Sequence, residues 1–472
     1  MDKRITKLLG NTSIFAIGSL SSKLLVFLLL PIYTNVLTTS QYGEIDLFTT
    51  SLAICIPLLS LSIFDAVFRW LLDKEADKVK IISSGFVVSS LSIFIAVAAI
   101  LIGMFANLPE LIIFSVASVL SVFQSLMMNI ARGFEKVQLY VSAGLINTFS
   151  SALITILGLL FFKMGQLSYY LGIIAGLMIS IVILAFKLKI WQYIKFNLDS
   201  IRVCRNLLMY SVPLIPNAIS WWLTTSVNRY FIIMFLGINA NGLFSVSTKI
   251  PAIMTMIFSV FSQAWQISSV QNYESQDKSA FYSTVLNRMT SLQLSLATAI
   301  LALMPIISRT LIGEDFYSSW KYVPLLLLSV IFSNLSSFVG TTYIAAKSTM
   351  GLLKTTMIGG VLNIALNLIF VPIIGIYGAC LGGVIAFLSM FLIRVKNTSA
   401  FVNLSVDWWM IARHLVCVAI SSAILYISNN NLAALGGNLL VFMLAVYLDK
   451  QNWLPMYSNA KTLLVRRLVP DK

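Results

Sequence analysis

Charged side chains are scarce here: Asp, Glu, Lys and Arg make up 10% of 472 residues, where a soluble domain carries about a quarter. So few charges leave little with which to cover a water-exposed surface. Histidine is rarer still, with His414 alone, and no HExxH or Cys/His cluster occurs, so no metal site is expected. Cys55, Cys204, Cys380 and Cys417 are scattered without paired spacing, which excludes a disulfide framework. No G-x-x-x-x-G-K-[ST] segment is present, so nucleotide hydrolysis by a P-loop is excluded. No cofactor is expected.

What fills the chain instead is apolar. Hydrophobic residues reach 58% and the mean hydropathy is +0.91. Crossing the hydrocarbon core takes roughly 20 apolar residues per helix, and such runs recur with short gaps. Candidate spans are 13–36, 45–64, 81–106, 111–130, 141–162, 167–188, 208–236, 243–268, 286–308, 322–345, 355–374, 376–395, 410–428 and 433–448. The expected fold is therefore all-α and integral to the membrane, with about fourteen transmembrane helices. A barrel would show short segments alternating apolar and polar, and these do not alternate.

The net charge of +15 invites a nucleic-acid reading, but the positions of the charges point elsewhere. Lys and Arg collect in cytoplasmic loops of membrane proteins. Of the 32 basic residues, 26 fall in the termini and the loops of one side, while the opposite loops hold only Lys163, Arg309 and Lys321. This asymmetry persists through every hairpin. It places both termini in the cytoplasm, makes the number of spans even, and leaves no nucleic-acid partner to expect. The N-terminus is basic and then apolar, without an A-x-A-like site, so it reads as a first helix rather than a cleaved signal. The longest loop of the sparsely charged side, RTLIGEDFYSSWK at 309–321, leaves little room for a catalytic site. A transporter is expected rather than an enzyme.

The longest cytoplasmic connection before the C-terminal tail, 189–207, separates the first twelve spans into six and six. Setting Leu8-Leu9 on Leu207-Leu208 brings the first span onto the seventh without a gap and Gly43 onto Gly242. A second echo pairs GLINTFSSALITILGLLF with GVLNIALNLIFVPIIG, Asn147 against Asn363. A six-helix repeat returns the chain to the same side, so the halves should be parallel copies around a central cavity. The expected organisation is a lobe over 1–200, a lobe over 201–400, and two appended helices with a cytoplasmic tail over 401–472. Prolines recur inside spans. Pro213 and Pro216, near the start of the seventh, suggest a bend serving as a hinge, although proline is also simply frequent in membrane helices.

Three basic residues remain inside spans: Lys23, Arg229 and Lys249. An ionisable group in the bilayer costs roughly 2.5–3.5 kcal/mol on insertion scales and usually faces a water-filled pathway. Lys23 lies near the middle of its span, too deep to snorkel comfortably. Arg229 and Lys249 share a depth on consecutive helices and could instead snorkel outward. Spans contain almost no compensating carboxylate beyond Asp46 and Asp65, which fall near the two ends of the second. A cavity with surplus positive charge suits an anionic substrate, and Arg suits phosphate oxygens. Asn228, Gln263 and Trp265, with Trp221, Trp222 and Gln266, could hydrogen-bond hydroxyls and stack on sugars. The plainer reading is that they bind helix to helix.

At these residues the chain resembles a known family. The opening GNTSIFAIGSLSSKLLVFLLLPIYTNVLTTSQYGEIDLFTT, the hairpin VNRYFIIMFLGINANGLFSVSTKIP, then FSQAWQ and YIAAKSTMGLLKTTMIGGVLNIALNLIFVPIIGIYGACLGGVIAFLS resemble, in order and spacing, the Wzx-type polysaccharide flippases. These form the polysaccharide biosynthesis protein branch of the multidrug/oligosaccharidyl-lipid/polysaccharide exporter superfamily. The resemblance implies a flippase for an undecaprenyl-pyrophosphate-linked oligosaccharide in the bacterial plasma membrane, serving capsule, O-antigen or exopolysaccharide synthesis. It implies membrane lipids as surroundings, and a polysaccharide polymerase and chain-length proteins as partners. It makes Lys23, Arg229 and Lys249 candidates for the pyrophosphate and Asn228, Gln263 and Trp265 candidates for the sugars. Where family members often carry an acid-basic pair, this chain reads Asn228-Arg229, so Arg229 should be less neutralised. A lipid II flippase, a multidrug exporter and, from another class, a membrane polymerase are the competing readings.

Overall fold

The computed structural model describes residues 18, 20–73, 75–195, 198–346, 348–428 and 430–450. Lys3, Arg4, Lys7, Lys74, Lys347, the tail from 451 onward, the start of the first expected span and Leu8-Leu9 lie outside the described residues. Every regular element among the described residues is helical: α1 Leu20–Val36, α2 Thr39–Leu59, α3 Ile63–Leu71, α4 Lys78–Phe105, α5 Pro109–Gly133, α6 Val137–Leu160, α7 Gln166–Leu188, α8 Leu198–Ser211, α9 Ile215–Ser226, α10 Asn228–Leu236, α11 Ile238–Lys249, α12 Ala252–Gln271, α13 Lys278–Leu311, α14 Val323–Ala345, α15 Thr349–Ile374, α16 Ile376–Thr398, α17 Trp408–Ile427 and α18 Asn431–Leu448. Among the described residues 11 helices are long and apolar enough to cross a membrane, and 12 if the bent pair α11 and α12 is one span. The two expected spans that remain are the first, of which α1 is the described part, and the seventh, which is broken.

The few polar residues between spans mark where helices begin. Thr38 opens α2 with a reciprocal cap, its hydroxyl accepting from the Gln41 N–H at 3.2 Å and its own N–H donating to Gln41 Oε1 at 3.1 Å. Asp77, Asp407 and Asn430 cap α4, α17 and α18 through side-chain oxygens. Such caps satisfy N–H groups that a helix start leaves without partners.

Several boundaries differ from the sequence expectation. The second span runs over Thr39–Leu59, not 45–64, because the Thr38 cap starts it early and a turn with Leu61 and Ser62 at positive φ ends it. Asp46 consequently sits inside the helix. The ninth span is α13, 34 residues long, against an expected 286–308. The seventh is not one helix: a 3₁₀ turn at Val212–Leu214 separates α8 from α9, and α10 follows from Asn228. Pro213 and Pro216 lack the N–H groups that would continue the ladder, which accounts for the first interruption.

The chain groups into two compact units, Met1–Val246 with Glu314–Phe316 and Thr356–Ala379, and Ser247–Gly313 with Tyr317–Thr355 and Cys380–Lys472. In the first, α3 to α8 enclose a core of aliphatic side chains including Ile63, Val67, Ile82, Leu126, Ile130, Leu184 and Leu207. In the second, Trp265 on α12 stacks on Phe338 of α14 at 4.4 Å between ring centroids and meets Tyr282 of α13 edge-on at 4.9 Å. Asn334 bonds Gln293 at 2.8 Å between α14 and α13. Arg394, which the sequence places among the loop charges, is 2% exposed within α16; its guanidinium donates to Ser336 O at 2.8 Å and Thr355 Oγ1 at 3.0 Å.

Candidate functional site

The first unit brings α2 and α11 together backbone to backbone. A Cβ added at Gly43 would stand 2.2 Å from Ile238 O, and one added at Gly242 would stand 2.0 Å from Thr39 O. These contacts mirror each other. Thr39 and Ile238 are related by the same sequence offset as Gly43 and Gly242, and so are Asp46 and Ser245, which are 199 residues apart and share a 2.7 Å hydrogen bond from Ser245 Oγ to Asp46 Oδ1. The repeat read from the sequence thus places equivalent residues against each other at a close crossing that only glycine permits.

Asp46 is the hub of this crossing. Its carboxylate accepts from Arg229 Nε at 2.6 Å and from Asn241 Nδ2 at 3.4 Å, besides Ser245. Asn241 Nδ2 also donates to Gly43 O at 2.9 Å. The side chains of Arg229 and Asp46 are 15% and 5% exposed, and the guanidinium lies over the Phe244 ring at 5.7 Å. This corrects the expectation that Arg229 lacks its acid: the neighbour in sequence is Asn228, but the partner in space is Asp46.

Asn228 is likewise committed. Its amide donates to Ala379 O at 3.1 Å, and its oxygen accepts from Asn363 at 2.7 Å and Asn367 at 3.2 Å. Asn363 also reaches Leu223 O at 3.2 Å and Thr224 O at 3.0 Å, carbonyls in the last turn before the break between α9 and α10. Asn363 thereby satisfies carbonyls at an interrupted helix, as a span requires, and is itself held by Asn228 and Asn367. Asn228 is buried, and these bonds tie α10 to the segments carrying Ala379, Asn363 and Asn367. Trp265 is 3% exposed with its indole N–H on Thr341 Oγ1 at 2.7 Å, and it too reads as a core residue. Trp222 donates to Thr50 O at 3.0 Å, whereas Trp221 is exposed.

The other candidates stand differently. Lys23 is exposed on α1 and takes no part in an ion pair among the described residues. Lys249 ends α11, half-buried, immediately before the bend at Pro251, and Gln263 is half-buried on α12. Of the three span cations, Arg229 is drawn into the Asp46 network. Ser245 and Asn241 were not singled out in sequence, although the repeat alignment sets Ser245 on Asp46. A second buried network, also unread in the sequence, joins α13, α17 and α18. In it the Asp449 carboxylate accepts from Arg413 at 2.9 Å and from Ser291, and stands 3.2 Å from His414 Nε2.

A family described as polysaccharide biosynthesis protein matches residues 8–267, more than half of the chain. The chain belongs to the polysaccharide biosynthesis protein family. No curated protein matches its sequence. Among solved structures, a lipid II flippase MurJ in its inward closed conformation is similar with a TM-score of 0.70 at 16% identity, over 93% of this chain and 99% of that one. An inward-facing multidrug resistance MATE transporter of the MOP superfamily gives a TM-score of 0.64 at 13% identity, over 82% and 98%. An outward-facing one gives 0.57 at 14%, over 83% and 96%. At such identities the likeness establishes the fold of this family member: a multi-pass, all-α membrane protein with the architecture of flippases and transporters.

Proposed function

We propose that this chain is a flippase that moves an undecaprenyl-pyrophosphate-linked oligosaccharide across the bacterial plasma membrane by alternating access. The observation that carries the reading is membership of the polysaccharide biosynthesis family together with a fold shared over nearly the whole chain with the lipid II flippase MurJ. The lobes would be 1–200 and 201–400, with 401–472 appended, both termini cytoplasmic, and Pro213 and Pro216 at a hinge. A polymerase and chain-length proteins would act on the exported unit.

The charges support an anionic cargo. Lys23 is an exposed cation inside an apolar helix, where its cost calls for a polar pathway, and it is the first candidate for the pyrophosphate. Lys249 is the second. Arg229 would serve only by exchanging Asp46 for phosphate oxygens. Gln263 is the remaining candidate for a sugar contact.

The test is export of surface polysaccharide in a strain lacking the gene. Lys23→Ala at normal protein level should reduce export about tenfold, the order expected for one charge-assisted contact, and Lys23→Arg should retain most of it. Normal export by Lys23→Ala would remove the pyrophosphate role from this residue. Failure of the unaltered chain to restore polysaccharide, with a gain in drug resistance, would favour a multidrug exporter. Rescue of peptidoglycan synthesis would favour a lipid II flippase.

A further inference from the structure

The second unit contains a pocket of about 360 Å³. It is formed where α13 ends, where the 3₁₀ helix Glu314–Tyr322 packs, and where α17 gives way to α18. Arg309 and Lys321 line it, with Ser308, Ser318, Trp320 and Asn431. These two cations are two of the three basic residues in the loops of the sparsely charged side. Among the described residues no carboxylate lines the pocket; Glu314 and Asp315 begin the 3₁₀ helix but are not part of the wall.

The cations are held in different ways. Asn431 presents its amide to the Arg309 guanidinium; with the amide oriented so that its oxygen faces the arginine, it accepts from Nε and Nη2, a neutral acceptor that positions the guanidinium without cancelling its charge. Lys321 is exposed, and its backbone carbonyl accepts from the Tyr426 hydroxyl. Trp320 packs on Tyr426 at 5.3 Å between ring centroids. Aromatic and basic side chains together at the ends of spans are the composition of a membrane-water interface. A volume of this order suits a small ligand or head group.

We propose that this pocket binds the phosphate of an anionic lipid head group, Arg309 and Lys321 supplying charge and the serine hydroxyls and Asn431 amide supplying hydrogen bonds. The shared chemistry is a phosphate oxyanion, carried either by a bulk glycerophospholipid or by a polyprenyl phosphate. The pocket's chemistry stands apart from the flippase reading; only a polyprenyl ligand would join the two.

The experiment uses the full chain in nanodiscs and native mass spectrometry of retained lipid. Phosphatidylglycerol, undecaprenyl phosphate and phosphatidylcholine are offered in turn, with inorganic pyrophosphate as a soluble competitor. Unaltered protein should retain at least one of the two anionic lipids over phosphatidylcholine, whose choline the two cations repel, and pyrophosphate should displace it. The preferred anionic lipid identifies the source. The double variant R309Q/K321Q should lose roughly tenfold of that retention, whereas R309K/K321R, which keeps both charges, should hold at least half. Equal retention by R309Q/K321Q and the unaltered protein, or no preference over phosphatidylcholine, overturns the proposal. Correct folding of R309Q/K321Q is read from its unchanged elution and phosphatidylcholine content. Polysaccharide export, measured separately, reports on the flippase reading.

Discussion

Asp46 and Arg229 lie 183 positions apart in the chain and 2.6 Å apart in space. Removing one member of a buried pair leaves an uncompensated charge and costs about 3–5 kcal/mol. Asp46→Asn and Arg229→Gln should each lower the midpoint of thermal unfolding in detergent, and the double variant should recover most of the loss. Additive losses would show that the two side chains do not stabilise each other. Trp265 separates a core role from a sugar contact. Trp265→Ala removes a buried indole at about 3–5 kcal/mol and should deplete folded protein. Trp265→Phe keeps the stack on Phe338 and should keep export close to normal at normal protein level. A selective loss of export by the Phe variant would restore the sugar-contact reading.

Helices α2 and α11 meet through a glycine on each. Because Gly43 and Gly242 face backbone oxygens rather than movable side chains, an added methyl must push the helices apart. Gly43→Ala and Gly242→Ala should both reduce the yield of folded protein, by similar amounts because the contacts are equivalent. Fluorescence-detected size exclusion reads this directly. A normal elution profile from either variant would mean the crossing is looser than described. The break at Val212–Leu214 belongs to the same scale. Pro213→Ala returns an N–H to the backbone and should leave folded yield intact while slowing export, if the break serves as a hinge.

For the whole molecule the proposed orientation rests on the distribution of Lys and Arg. In a cysteine-free background, Thr310→Cys should react with an impermeant maleimide in intact cells, and Ser399→Cys only after permeabilisation. Both positions are exposed, so a reversed pattern would invert the topology.

Much of this architecture was legible in residues. Runs of apolar side chains can be read along the chain because the bilayer tests each helix by its own composition. Gly43 and Gly242, which the sequence sets on each other, stand at a close crossing of their helices. The candidate site was less so. Lys23, Arg229 and Lys249 could be found by depth, since a cation in an apolar run stands out alone. Whether such a cation is neutralised depends on what folding places beside it. Asn228 next to Arg229 in sequence suggested a missing acid, while folding sets Asp46 of a distant helix against the guanidinium. Asn228 and Trp265 drew attention as polar groups, yet only packing decided that their hydrogen bonds end on Ala379 and Thr341. Membership of a membrane fold is a sum of local free energies and belongs to the sequence; the state of each buried polar group is set by its partners, and those are chosen by the tertiary structure.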